Sequence, residues 1–229
     1  MSTMDNQNEK NGPGDIISEF AQKHRKPIFI TAASIVLLLI IFIAALSFVD
    51  MLKGKDISAV EDFNSRYEVL RPSINEEYSA VELEELLAEI ESFAHKKSGY
   101  AGGRAWSIIA SIHSEKSEWP AAENAWVSAA NAAKKTYLIP LAWFNAAVAA
   151  EEQGKTEQAL EYYGHCIDAA DDFPGAARAQ FAIGRLKESI NENAEAIEAY
   201  RAVISGWPYD RVWTNLAHSR IIALENEVF

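Results

Sequence analysis

The sequence predicts an all-α chain in which one long apolar helix precedes an α-solenoid of helical hairpins closed by a C-terminal capping helix. Residues 28–49 hold no charged side chain and are rich in Ile, Leu, Val and Phe. After them the sequence repeats at a step of 37 residues, with Trp106 and Trp143, then Ala110, Ala147 and Gly184, then Ala122, Ala159 and Ala196, then Trp126, Tyr163 and Tyr200. Within a step the apolar residues recur at i, i+3, i+4 and i+7, which is one face of a helix. A fixed period of this size marks stacked supersecondary units that bury their apolar faces against one another.

Residues 1–27 read as a tail, disordered up to about Asp15 because Asn6, Gln7, Asn8, Asn11, Gly12, Pro13 and Gly14 offer nothing to bury. Ile16, Ile17 and Phe20 could then begin a short interfacial helix. At about 1.5 Å per residue the 28–49 stretch is roughly 33 Å long, enough to cross a hydrocarbon core of about 30 Å as a single transmembrane helix. A cleaved signal peptide is the competing reading, since basic residues precede the stretch and Ala45-Leu46-Ser47 is a small-x-small sequence. Signal cores run to roughly 7 to 15 residues, so the length favours an uncleaved anchor. Lys23, Arg25 and Lys26 precede the span, whereas Lys53 and Lys55 follow it together with Asp50. The positive-inside bias therefore puts the N-terminal tail in the cytoplasm and residues 50–229 on the periplasmic side of an inner membrane.

Residues 50–102 supply N-terminal helices to the exposed domain. One spans 56–70 with Val60, Phe63, Tyr67 and Leu70 on one face and stops at Arg71-Pro72. A second spans 79–97, with Val81, Leu83, Leu86, Leu87 and Ile90 apolar and Glu82, Glu84, Glu85, Glu89 and Glu91 as its solvated face. Gly99, Gly102 and Gly103 then open three repeats over 103–210. The first has Trp106, Ile109 and Ala110, a turn at Trp119-Pro120, then Ala122, Trp126 and Ala129. The second has Trp143, Ala146, Ala147 and Ala150, a stop at Gly154, then Ala159, Tyr163 and Cys166 up to the breaker Asp171-Asp172-Phe173-Pro174. The third has Gly184, Ala196, Tyr200 and Val203, closed by Pro208. Residues 211–229, carrying Trp213, Leu216, Ala217, Ile221 and Leu224, read as the polar-backed cap that a solenoid requires.

These positions resemble the tetratricopeptide repeat, with its early aromatic and mid-helix small residue in the first helix, its Ala and aromatic in the second, and its closing Pro. The resemblance covers about residues 103–210. It departs from the family in its period of 37 against the usual 34, in Gln180 where Trp106 and Trp143 stand, and in Gly154, which has no counterpart glycine. The extra residues fit loops at Lys134 to Ile139 and Asp171 to Pro174. By family register the resemblance implies a groove lined by Arg104, Ser107, Ser111 and Glu115, then Leu141, Phe144, Val148 and Glu151, then Arg178, Phe181, Arg185 and Glu188. Phe144, Val148 and Phe181 would form an apolar stripe beside Arg178 and Arg185, suited to a helix or extended peptide of some acidic character. Alternatively Phe144 and Phe181 pack against neighbouring helices. The Lys-Asn clamp of chaperone-binding members is missing, since the matching positions hold Ser, Phe, Val and Arg. The layout of one anchor and an acidic repeat domain resembles the bacterial ancillary subunit of the SecYEG translocon. That implies an adaptor with translocon or chaperone partners in export or envelope folding. Two alternatives stay open: a scaffold subunit of a flagellar or division assembly, and a cytosol-facing targeting receptor of inverted topology.

Charge and motifs exclude other classes. The tail holds four acidic and four basic residues, so the net charge of −12 lies after the anchor, in a domain that repels nucleic acid. Cys166 is the only cysteine and cannot form an intrachain disulfide, and neighbouring His165 points about 100° away from it on a helix. The five histidines show no metal-ligand spacing, and Gly99 to Gly103 lacks the Lys-Ser/Thr of a phosphate loop. Neither an enzyme nor a cofactor site is expected.

Overall fold

A computed structural model describes residues 14, 17, 20, 22–74, 77–169 and 172–227. Most of the tail read as disordered, Ile16 of the interfacial helix and Asp171 of the second breaker lie outside these residues. The described residues are nearly all helical, with no strand among them. Contacts divide the chain into two units, Met1–Gly54 and Lys55–Phe229.

Helix α1 runs from Arg25 to Leu70, and a 3-10 turn at Arg71–Ser73 follows it. The sequence separates 28–49 from 56–70, yet the helix continues between them. No proline falls between Ile28 and Leu70, and Gly54 alone costs only about 1 kcal/mol. In the first unit the side chains from Ile35 to Ile43 are all exposed, and the most apolar stretch has a mean hydropathy of 3.0. By length and composition the helix can cross a membrane, a test that a signal sequence near an N-terminus also meets.

In the second unit the solenoid begins with the end of α1 against α2 (Glu77–Ala94), where Val60, Phe63 and Tyr67 meet Leu83, Leu86 and Ile90. Phe63 and Phe93 pack edge to face at 5.4 Å. Val81, placed by the sequence on the apolar side of α2, is exposed instead. Three hairpins follow: α3 (Gly99–Glu115) with α4 (Trp119–Ala133), α5 (Leu138–Glu151) with α6 (Thr156–Asp168), and α7 (Ala176–Ser189) with α8 (Asn193–Gly206). The last described helix is α9 (Arg211–Glu227). Pro120 and Pro140 sit in the first turns of α4 and α5, where the missing amide donor is not needed. Pro208 follows α8 and ends it.

The hairpin turns repeat as faithfully as the helices. Ser117, Gly154 and Asn191, each 37 residues from the next, all adopt positive φ, at 57°, 70° and 62°. In each turn the following amide donates back across five residues, from Glu118 to His113 O, from Lys155 to Ala150 O, and from Glu192 to Lys187 O. Gly154 therefore has conformational counterparts that the sequence hides, since Ser and Asn carry the same left-handed backbone at a cost that Gly avoids.

Small residues stand where helices come closest. Ala122, Ala159 and Ala196 are fully buried, and so are Ala110 and Ala147. A Cβ at Gly184 would lie 2.5 Å from the Tyr200 ring, and one at Gly103 would lie 2.7 Å from the Ala133 Cβ. The aromatic positions cover these contacts. Trp106 meets His95 edge to face at 4.9 Å, and Trp143 stacks on Tyr162 at 5.5 Å. Gln180, in the slot of the two tryptophans, instead donates through Nε2 to Ala199 O at 3.2 Å.

Candidate protein-binding groove

Two adjoining depressions that share Ser111 and Glu115 lie at the first repeat. The smaller, of about 120 Å³, lies between the end of α1 and α3 and is walled by Tyr67, Arg71, Arg104 and Ile108. The larger, of about 280 Å³, is walled by Trp119, Trp126, Asn145 and Val148. The first is polar; its arginines are paired, and the buried Tyr67 hydroxyl has no hydrogen-bond partner among the described residues. Arg104 donates to Asn64 Oδ1 at 2.7 Å, and Arg71 Nε donates to Glu115 Oε1 at 2.5 Å. Burial and the nearby Glu115 carboxylate push the Tyr67 phenol up, so it stays protonated at neutral pH. The second joins indole and aliphatic surface to the Ser111 hydroxyl and the Asn145 amide, and Trp126 Nε1 donates to Ser114 Oγ at 3.3 Å.

Of the groove positions read from the sequence, Arg104, Ser111, Glu115 and Val148 line these depressions. Ser107 does not, being buried with its hydroxyl on Gly103 O at 2.8 Å. Phe144 is only 8% exposed, with Tyr163 edge-on at 5.4 Å and the Arg178 guanidinium over its face at 4.8 Å. Phe181 lies between Tyr200 at 5.1 Å and Trp213 at 5.3 Å. These two rings thus pack against neighbouring helices, the alternative left open by the sequence, and Phe144, Val148 and Phe181 do not form one open stripe. The physical reason is size. Each phenyl ring fills the gap between a first helix and the aromatic of its own second helix, where burial of apolar area is worth most.

Glu151, Arg185 and Glu188 form a ladder along the solenoid. Tyr163 donates to Glu151 at 2.6 Å, and Arg185 of the next repeat pairs with the same carboxylate. One step later Tyr200 donates to Glu188 at 2.9 Å, and Arg220 of α9 pairs with it. Desolvation, then the carboxylate, push both phenols up. The first repeat fills the same slot with Ser114 and Trp126.

Sequence reasoning missed Tyr67, Arg71 and Asn145 in the groove, the first two because they belong to no repeat. It also missed Glu123, a carboxylate only 7% exposed that accepts bonds from Lys155 at 2.7 Å, Gln153 at 2.8 Å and Tyr162 at 3.2 Å. Burial pushes its pKa up, but the bonds from Lys155 and Gln153 outweigh this and hold it below the ordinary carboxylate range. Glu123 therefore pins the first hairpin to the second. Burial pushes the Cys166 thiol up to about 12, and the His165 ring faces Trp143 at 4.9 Å. Among the described residues no group of three His, Cys, Asp or Glu side chains could hold a metal ion.

The tetratricopeptide repeat family matches residues 141–173 and 177–205, which are the α5–α6 and α7–α8 hairpins. Those two hairpins are tetratricopeptide-like. A TPR repeat-containing protein of Treponema pallidum (strain Nichols) is 36% identical over 141 residues, covering 61% of this chain. The chain spans 58% of that relative's length. A solved structure of nearly identical TPR-like repeats, from a kinesin-light-chain-like protein of Podosopora anserina, covers 74% of this chain and 97% of its own at 10% identity and a TM-score of 0.47.

Proposed function

We propose that the protein is a membrane-anchored tetratricopeptide-repeat adaptor that holds protein partners at the bacterial inner membrane during protein export or envelope protein folding. The observation that carries this reading is the joining of an apolar helix, long enough to span a bilayer, to a repeat domain with an open groove at Ser111 and Glu115. The adaptor crosses the membrane once through residues 28–49, with its short N-terminal tail cytoplasmic and its repeats periplasmic. A partner segment seats an apolar side chain on Trp119, Trp126 and Val148 and sets its backbone against Ser111 and Asn145. The ion pairs of Arg71 and Glu115 border the site and discriminate by charge.

A second reading, a structural subunit of an envelope assembly, draws support from the exposed apolar side chains on α9. The two are separated by crosslinking membranes that carry the wild type or a Val148→Glu variant, then recovering the attached proteins. Adaptor function predicts loss of bound partners at unchanged helicity. Equal recovery from both would refute binding in the groove.

A further inference from the structure

Among the described residues one buried side-chain oxygen lacks a hydrogen-bond partner, the Tyr67 hydroxyl, and its residue walls the smaller depression. Tyr67 is only 4% exposed. A buried donor without an acceptor is costly, and native structures seldom keep one unless something else completes it. Glu115 lies near enough to help push the phenol up, yet its carboxylate stands outside hydrogen-bond geometry and gives Oε1 to Arg71. The phenol therefore stays an O–H donor on the wall of a space of about 120 Å³.

The charges around that space cancel. Arg71 and Arg104 are balanced by Glu68 and Glu115, so an entering carboxylate would meet two carboxylates and an entering ammonium would meet two guanidinium groups. Hydrogen-bonding capacity remains on both sides. Arg104 spends one nitrogen on Asn64 and keeps further N–H donors, while Glu115 keeps Oε2 as an acceptor. The group that fits is uncharged and both accepts and donates.

We infer that the smaller depression takes the side-chain carboxamide of an asparagine or glutamine in the partner segment, an inference that rests on the proposed groove. The carboxamide oxygen accepts from the Tyr67 hydroxyl and the Arg104 guanidinium, and its NH2 group donates to Glu115 Oε2. An aliphatic side chain in the same place would leave the Tyr67 donor as unpaired as before, so the site rejects it. Ser111 and Glu115, one helical turn apart, wall both depressions, and the carboxamide therefore sits beside the apolar side chain held by Trp119, Trp126 and Val148.

The test uses the full-length protein in detergent and an array of immobilised peptides, each carrying one Leu and one test residue in a Gly-Ser background at spacings of one to four. The test residue is Gln, Asn, Glu, Lys or Ala. At the best spacing Gln or Asn should be held at least about five-fold more tightly than Glu, Lys or Ala, the worth of a hydrogen bond or two. Tyr67→Phe should erase that preference and leave the Ala peptides bound as before. It should also melt no lower than the wild type, because the hydroxyl it removes makes no bond in the free protein. Glu, Lys or Ala peptides bound as tightly as Gln and Asn, or a lower melting temperature for Tyr67→Phe, would overturn the carboxamide site and leave the groove standing. Failure of every peptide to bind would overturn the groove itself, and the carboxamide site with it.

Discussion

The Tyr163 hydroxyl donates to the Glu151 carboxylate at 2.6 Å, joining the two helices of one hairpin at the point where Arg185 of the next repeat arrives. Tyr200 and Glu188 repeat the bond 37 residues later, with Arg220 arriving in turn. A hydrogen bond to an ionised group is worth about 1.5–3 kcal/mol, whereas an ion pair as open as that of Arg185 is worth under about 1. Tyr163→Phe should therefore cost about 2 kcal/mol and Arg185→Ala less than half of that, as read by urea denaturation. Equal losses would mean that the ion pair, not the phenol, ties the repeats together.

The shared turn conformation makes a graded series. Ser117→Gly should stabilise by about 1 kcal/mol, because a serine in the left-handed region gives up about that much. Asn191→Gly should gain less, since Asn tolerates that region best after Gly. Gly154→Ala should lose about 1 kcal/mol. Thermal melts of the three variants check the order, and a destabilised Ser117→Gly would contradict it.

Close packing sets the strongest prediction. Ala159 is fully buried, so Ala159→Arg strands an unpaired charge between helices and should cost several kcal/mol, enough to unfold the central hairpin. Gly184→Ala is milder at about 1–3 kcal/mol, because the Tyr200 ring, 2.5 Å from the added carbon, has to shift. Circular dichroism melts of both variants decide this, and an unchanged melting temperature for Ala159→Arg would refute the packing.

Acid sensitivity follows from Glu123. Its pKa is lower folded than unfolded, so the stability it brings is fully present above the ordinary carboxylate value of about 4.3 and is lost as pH falls through the folded value. Glu123→Gln should lower the melting temperature at pH 7 and flatten its fall as pH drops below the ordinary carboxylate value of about 4.3. A parallel fall in variant and wild type would show that Glu123 does not titrate with folding.

Much of this fold was legible because its signals are periodic. Trp106 and Trp143, the Ala122 series and the Tyr163 series each recur at one helical position, and burial acts on every copy alike. What stayed hidden was contact between elements of different origin. Tyr67 and Arg71 enter the groove from outside the repeats, and Lys155 reaches Glu123 across 32 residues with no pattern to announce it. Ser117 and Asn191 hid because backbone conformation, not residue type, is what repeats there. Phe144 misled by one position. Asn145 beside it, with Val148, faces the groove, while the ring turns inward to Tyr163.

The most direct test of the adaptor reading is in-cell photocrosslinking from a photoreactive residue at position 145, on the groove wall, with one at exposed Glu195 as the reference. Mass spectrometry of the adducts should find translocon subunits, chaperones or emerging secretory chains from position 145 and few of them from position 195. Identical adducts from the two positions, or none from position 145, would contradict a partner-binding groove.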